Sequence, residues 1–153
     1  MTQPVQTRSG GRKGSAEEAA CLDLWRTADL LSRGPAQVLK SAELSPTQYN
    51  VLRILRGSPD GLSCGEIANR MITRDPDITR LLDRMEKRGL ISRCREEKDR
   101  RTVMARITPE GLGRLAQLDD PVQAIHRKQL GHLKAEQLEK LHELLKACRA
   151  EVE

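Results

Sequence analysis

The chain has 153 residues but only two aromatic ones, Trp25 and Tyr49, so its core must be built from aliphatic side chains. Its net charge of +5 favours a polyanionic partner. No apolar run is long enough for a membrane span or a secretion signal. The four cysteines are too scattered for a zinc ribbon or a disulfide framework, so we expect a cytoplasmic, reduced protein.

The chain begins with a polar stretch, residues 1–15, which lacks apolar periodicity and is predicted to be a disordered arm. From Ala16 to about Ser41, apolar residues recur at helical spacing and predict a first helix. Gly34-Pro35 is expected to kink or interrupt this helix, because proline removes a helical hydrogen bond.

Three capped helix starts follow. Residues 45–48 (SPTQ) and 63–66 (SCGE) each place a serine three positions before Gln or Glu, which is the pattern of a capping box. The second box opens a short helix whose inward face is predicted to include Ile72. Asp75-Pro76 supplies an acidic cap and a first-turn proline for the third helix, and Gly89 is a natural left-handed terminator.

Residues 90–111, LISRCREEKDRRTVMARITPEG, form the most informative segment of the chain. Two short apolar or β-branched runs, residues 90–95 and 102–108, are separated by a charged turn and predict a hairpin. At its tip, Arg100 and Arg101 lie beside Asp99, whose carboxylate can hold one guanidinium in a fixed pose. An arm that ends in arginines suits the narrow, negative minor groove of DNA.

The remaining chain, residues 109–153, carries leucines at helical intervals and predicts further helices, with a kink near Pro121. Their apolar stripes, like that of the first helix, are too wide for a small lobe to cover. Burial between helices of two chains is therefore expected. The predicted fold class is mainly α with a small β-hairpin wing (α+β).

Two short helices followed by a hairpin indicate a winged helix-turn-helix, in which the segment from Asp75 to Arg88 is the recognition element. Its N-terminal half would enter the major groove, where arginine binds guanine and threonine offers a hydroxyl or a methyl group. An ordinary solvated helix face is the alternative for these charges. The predicted DNA-binding residues are Arg74, Asp77, Thr79, Arg80, Arg84, Lys98, Arg100 and Arg101, with Asp99 orienting the wing.

Two carboxylates on this helix, Asp77 and Asp83, work against simple electrostatics because they would repel phosphates. Either they orient neighbouring arginines, or Asp77 accepts a hydrogen bond from a cytosine amino group. Replacing Asp77 with alanine should alter sequence preference only in the second case.

The run ITRLLDRMEKRGLISRCREEKDRRTVMARITPEG resembles the recognition helix and wing of the MarR family of bacterial transcription regulators. SPTQYNVLRIL resembles the helix that precedes them, and the likeness is most specific at Asp99, Arg101, Thr108 and Gly111. It implies a single domain over residues 16–153, with a winged helix-turn-helix at 44–108 and dimerisation helices at 16–42 and 109–153.

The resemblance also implies a function. It predicts an obligate homodimer that binds a pseudopalindromic operator on double-stranded DNA, with Arg101 in the minor groove. Such a protein represses transcription and is released from DNA by a small molecule or by oxidation of a cysteine. Gly34-Pro35, within the first dimerisation helix, departs from the family pattern.

In this family, small aromatic or phenolic effectors bind between the dimerisation helices and the lobe. The resemblance implies an effector site lined by Trp25, Arg26, Tyr49 and Arg53, although both aromatic residues also suit core or interface packing. Cys21 matches in position the reactive cysteine of the family's organic-hydroperoxide sensors, whose activating tyrosines are mostly absent here. A thiol-based oxidant sensor is thus an alternative function.

An enzyme is not expected, because the chain has no nucleophile–base spacing and no cofactor fingerprint. Its three histidines are isolated, so no metal site and no cofactor is predicted. A winged helix that docks another protein remains the second alternative, since fold alone does not dictate function.

Overall fold

The computed structural model describes residues 14–95 and 101–150, so residues 1–13 of the predicted arm lie outside it. Two compact units divide between Ser32 and Arg33. Helix α1, Ala16–Ser41, continues without a break through Pro35. Of the two effects predicted for Gly34-Pro35, the interruption is therefore wrong, since a 26-residue helix tolerates the loss of one internal hydrogen bond, and the kink stays a prediction.

The second unit continues with five further helices and three strands among the described residues. In chain order these are α2 (Pro46–Arg56), β1 (Leu62–Ser63), α3 (Cys64–Arg70), α4 (Ile78–Lys87), β2 (Ile91–Arg95), β3 (Val103–Ile107), α5 (Pro109–Leu130) and α6 (Ala135–Ala150). The predicted fold class, mainly helical with a small antiparallel sheet, is confirmed. Helix α5 continues as one helix through Pro121.

The sheet has three strands in the order β1-β3-β2, rather than the two of the predicted hairpin. Strands β2 and β3 pair antiparallel from Ile91↔Ile107 to Arg95↔Val103. Strand β1 adds only two residues, Leu62 and Ser63, on the other side of β3. A strand this short has no alternation of apolar and polar residues, so its sequence does not predict it.

Both predicted capping boxes are confirmed. The Ser45 hydroxyl accepts a hydrogen bond from the amide of Gln48, and the Gln48 side chain accepts one from the amide of Ser45. Ser63 and Glu66 make the same reciprocal pair at the start of α3. These local bonds satisfy amides at helix starts that would otherwise lack a partner.

The linker between α3 and α4 differs from the prediction. Helix α3 ends at Arg70, Met71 is extended, and the side chain of Ile72 is exposed rather than facing the core. Helix α4 begins later than predicted, because Asp77 is its cap. The carboxylate of Asp75 instead accepts from the amide of Asp77, forming a turn that leaves Pro76 outside the helix.

The core of the second unit is aliphatic, as the composition predicts. It lies between α2, α4, α5 and the base of the sheet. The largest fully buried side chains of this core are Leu39, Val51, Leu52, Leu55, Ile67, Leu81, Leu82, Met85, Leu90, Ile91, Leu115 and Leu118. An ion pair also joins α2 to α5, because Arg56 Nη1 donates to both carboxylate oxygens of Asp119, at 3.0 and 2.9 Å.

Candidate nucleic-acid interface

Helix α4 has one buried face and one basic face. Leu81, Leu82 and Met85 are buried against the core. The opposite side is exposed, and it carries Thr79, Arg80, Arg84 and Lys87. The helix ends at Lys87, and Gly89 follows with a φ of +71°, which is the left-handed conformation predicted for it, while the amide of Leu90 donates back to the carbonyl of Met85.

Asp77 organises the start of this helix. One carboxylate oxygen accepts from the backbone amide of Arg80 at 3.2 Å, and the other pairs with the Arg80 Nε at 3.1 Å. This is the geometry that the first interpretation of Asp77 requires, because the carboxylate orients a neighbouring guanidinium. Arg80 therefore stands at the N-terminal end of α4 in a defined pose.

Arg74, Arg84 and Lys87 are exposed, and their side chains make neither hydrogen bonds nor ion pairs with any residue in 14–95 or 101–150. Arg74 lies in the linker before α4, whereas Arg84 and Lys87 lie on the helix itself. Their charged groups are available to an external anion, because no internal carboxylate competes for them.

The wing is only partly described. Arg101 is exposed and comes just before β3. The other predicted wing residues, Lys98, Asp99 and Arg100, lie outside the described residues, so their roles remain predictions.

A charge cluster that the sequence analysis missed joins the wing to α4. Arg93, in the middle of β2, donates to the carboxylate of Glu86 from Nε at 2.9 Å and from Nη2 at 2.7 Å, and it also contacts Asp83. The hydrogen bond from Arg93 lowers the pKa of Glu86. The spacing of the two carboxylates, three positions apart on one helix face, is the signal that could have indicated a shared cation.

The predicted effector-binding residues fall in both units. In the second unit, the Arg53 guanidinium lies 5.8 Å from the centre of the Tyr49 ring, and Tyr49 packs against the core. In the first unit, Trp25 is 69% exposed, and the Arg26 guanidinium lies 4.0 Å from the Asp23 carboxylate. Cys21, in the same unit, is an exposed free thiol.

Among the described residues, no cluster of His, Cys, Asp or Glu has the geometry to hold a metal ion. Every helix in residues 14–95 and 101–150 is too short or too polar to cross a lipid bilayer.

Two helices joined by a short linker and followed by an antiparallel hairpin define a winged helix-turn-helix protein. The MarR family profile matches residues 44–103, which span the segment from the approach to α2 to the start of β3. A MarR transcription factor from Planctomyces limnophilus is 41% identical, with 89% of this chain and 99% of that one aligned at a TM-score of 0.66. The chain belongs to the MarR family of transcription regulators.

Two further relatives are informative. The transcriptional repressor CouR, solved on a 23-mer DNA duplex, is 28% identical, with coverage of 93% and 99% and a TM-score of 0.74. The regulator PecS from Dickeya dadantii is 33% identical over 90 residues, which are 58% of this chain and 54% of PecS. The chain thus matches about half the length of that curated relative. All three relatives are transcription regulators.

Proposed function

We propose that this protein is a sequence-specific DNA-binding repressor that acts as a homodimer on a pseudopalindromic operator. The observation that carries the proposal is the exposed basic face of α4, where the side chains of Arg84 and Lys87 have no partner among the described residues. Family membership supports it, and so does the CouR relative, whose structure contains duplex DNA.

In this proposal the residues around α4 divide between bases and phosphates. Thr79 and Arg80 lie at the N-terminal end of the helix, which is the end that enters the major groove in winged helices. Arg74 and Arg84 suit phosphates, since their guanidinium groups are exposed. Asp77 acts through Arg80 rather than on a base.

The wing completes the interface. Arg101 enters the adjacent minor groove, and Lys98 and Arg100 add cationic contacts on the same projection. Asp99 holds the wing arginine in its pose. Arginine is the side chain most suited to a narrow minor groove, because the negative potential there is strongest.

Exposed apolar side chains in each of the two compact units support the homodimer. Helix α6 has no buried residue, and Leu144 on it is 55% exposed. In the first unit, Leu30 is 62% exposed. Pairing of such helices between two chains would bury this surface and set two α4 helices on half-sites about 34 Å apart.

Release from DNA is proposed to follow binding of a small aromatic or phenolic ligand. Arg53 and the Tyr49 ring, already in contact, offer a cation and an aromatic face that suit an aromatic acid. Trp25 and Arg26 offer the same two chemistries in the first unit. A ligand that favours one dimer conformation by a few kcal/mol would shift the lobes away from their half-sites.

Fluorescence anisotropy tests the DNA-binding proposal, using the DNA upstream of the protein's own gene and a scrambled duplex of equal length over a salt series. We expect tighter binding to the upstream DNA and a steep loss of affinity with salt, since phosphate contacts release counterions. Equal binding to both duplexes would contradict a specific regulator. Binding to neither would favour the alternative, a winged helix that docks another protein.

The oxidant-sensing alternative depends on Cys21, which is exposed and free. Peroxide treatment of the protein–DNA complex tests it. Loss of DNA binding in the wild type but not in Cys21→Ser would support the alternative, and equal loss in both proteins would remove Cys21 from consideration.

A further inference from the structure

We propose that Arg93 is a positioning residue that fixes the wing against the recognition helix, so that both elements meet DNA in one geometry. The inference depends on the proposed DNA-binding function and assigns a role within it to a residue that itself need not touch DNA.

The contacts of Arg93 join two elements. Its side chain reaches both carboxylates on α4, Glu86 and Asp83, and its backbone amide donates to the second carboxylate oxygen of Glu86 at 3.0 Å. Glu86 thus binds both the main chain and the side chain of β2. The side chain of Arg93 is only 24% exposed, so these charge-assisted bonds are better shielded from water than those of a surface ion pair.

The position of Arg93 along β2 explains why such a contact matters. The connection from α4 to β2 is a tight turn at Gly89, and the residues after it, Leu90 and Ile91, are buried at the base of the wing. Beyond this base, Cys94 and Arg95 are exposed. Arg93 therefore ties β2 to α4 farther from the turn than the buried base does, and a contact farther from the turn resists rotation of β2 more effectively.

The cluster also explains why a helix proposed to bind a polyanion carries two carboxylates. Asp83 and Glu86 would repel phosphates if both were free, and one guanidinium offsets part of their charge. A purely electrostatic view predicts that removing either carboxylate strengthens DNA binding. A positioning role predicts the opposite, because the tie to the wing is lost.

Two substitutions exploit this difference. Arg93→Lys keeps the charge, but a single ammonium cannot reproduce the three hydrogen bonds that the guanidinium makes from two nitrogens to two carboxylates. We expect it to bind a duplex selected from a random DNA pool about tenfold more weakly than the wild type. Glu86→Gln adds net positive charge, and we expect weaker binding here too, although simple electrostatics predicts tighter binding.

A double-mutant cycle separates positioning of the wing from a general effect. If Arg93 acts through the wing, Arg93→Lys should cost almost nothing once Arg101→Ala has removed the wing contact. The same substitution should remain fully additive with Arg84→Met, which changes a contact of α4 alone. Thermal unfolding of each variant verifies that its fold is retained.

The outcomes are distinct. Unchanged affinity of Arg93→Lys, tighter binding of Glu86→Gln, or additivity of Arg93→Lys with Arg101→Ala would each overturn the inference while leaving DNA binding intact. Failure of the wild type to select any duplex would instead overturn the proposed function, and the inference with it.

Discussion

The carboxylate of Asp77 both caps a helix and, in the proposed function, prepares an arginine for recognition. It caps α4 through the amide of Arg80 and holds the guanidinium of the same residue. Sequence alone left open whether Asp77 orients an arginine or reads cytosine, because both roles need the same residue at the same place. The choice depends on a side-chain pose, which no pattern of residue types encodes.

Substitutions at Asp77 test this assignment. Asp77→Ala removes the cap and should lower the free energy of unfolding by about 1 kcal/mol, whereas Asp77→Asn keeps a capping oxygen and should cost less. Urea denaturation measures both. Selection of DNA from a random pool should return the same preferred bases for Asp77→Ala as for the wild type, and loss of a cytosine preference would show that Asp77 reads a base directly.

Arg84 provides a test of a single phosphate contact. We expect Arg84→Met to weaken binding to all duplexes to a similar extent and to reduce the slope of log affinity against log salt by about 1. Arg127→Met is a matched control, since Arg127 is also an exposed arginine whose side chain has no partner among the described residues, but it lies on α5. Equal effects of the two substitutions would mean that only net charge matters.

Among the helices and strands, those with local signals were predictable. The capping boxes at Ser45 and Ser63 and the left-handed Gly89 depend on residues within a few positions of each other, so the sequence displays them directly. The start of α4 was misplaced because Asp75 and Asp77 are both competent caps, and the turn made by Asp75 decides between them. Strand β1 was not predictable, since it pairs with a segment that is distant in sequence. The Arg93 cluster joins residues only 7 and 10 positions apart, but it depends on how β2 folds back beside α4, which the carboxylate spacing alone does not specify.

Gly111 illustrates a constraint between elements. It lies in the first turn of α5, and a Cβ atom there would stand 2.3 Å from the Leu90 carbonyl oxygen and 2.8 Å from Ile107 Cγ1. The resemblance to the family marked this glycine without giving a reason. The structure supplies one, because α5 begins in direct contact with the base of the wing.

A pair of alanine substitutions in α5 measures this constraint. Gly111→Ala should destabilise the protein by roughly 1–3 kcal/mol, because the backbone oxygen of Leu90 cannot move aside easily. Gly113→Ala, two positions later and with no atom within 4 Å of its Cβ, should instead stabilise the helix by about 0.5–1 kcal/mol. Thermal unfolding gives both values, and a neutral Gly111→Ala would contradict the close contact.

At the scale of the whole molecule, the proposed binding of a pseudopalindromic operator requires two copies of the chain. Composition and apolar stripes alone indicated helix pairing between chains, but not its geometry, because the partner surface belongs to a second copy of the same sequence. The exposed leucines of α6, Leu138, Leu141 and Leu144, are the surface through which this expectation can be tested.

Leu144→Glu should weaken the dimer, because a carboxylate buried in an apolar interface would lose its hydration. His142→Glu is the control, since residues two positions apart on a helix point to nearly opposite faces. Sedimentation equilibrium should show a larger dissociation constant for Leu144→Glu than for His142→Glu. A wild-type chain that sediments as a monomer would contradict the proposed dimer.

The most direct test of paired recognition is hydroxyl-radical footprinting of the wild-type protein on a duplex selected from a random pool. Two copies of α4 and two wings predict two equivalent protected regions related by two-fold symmetry, about 34 Å apart, each with additional minor-groove protection beside it. A single protected region, or protection without minor-groove contact, would contradict the account.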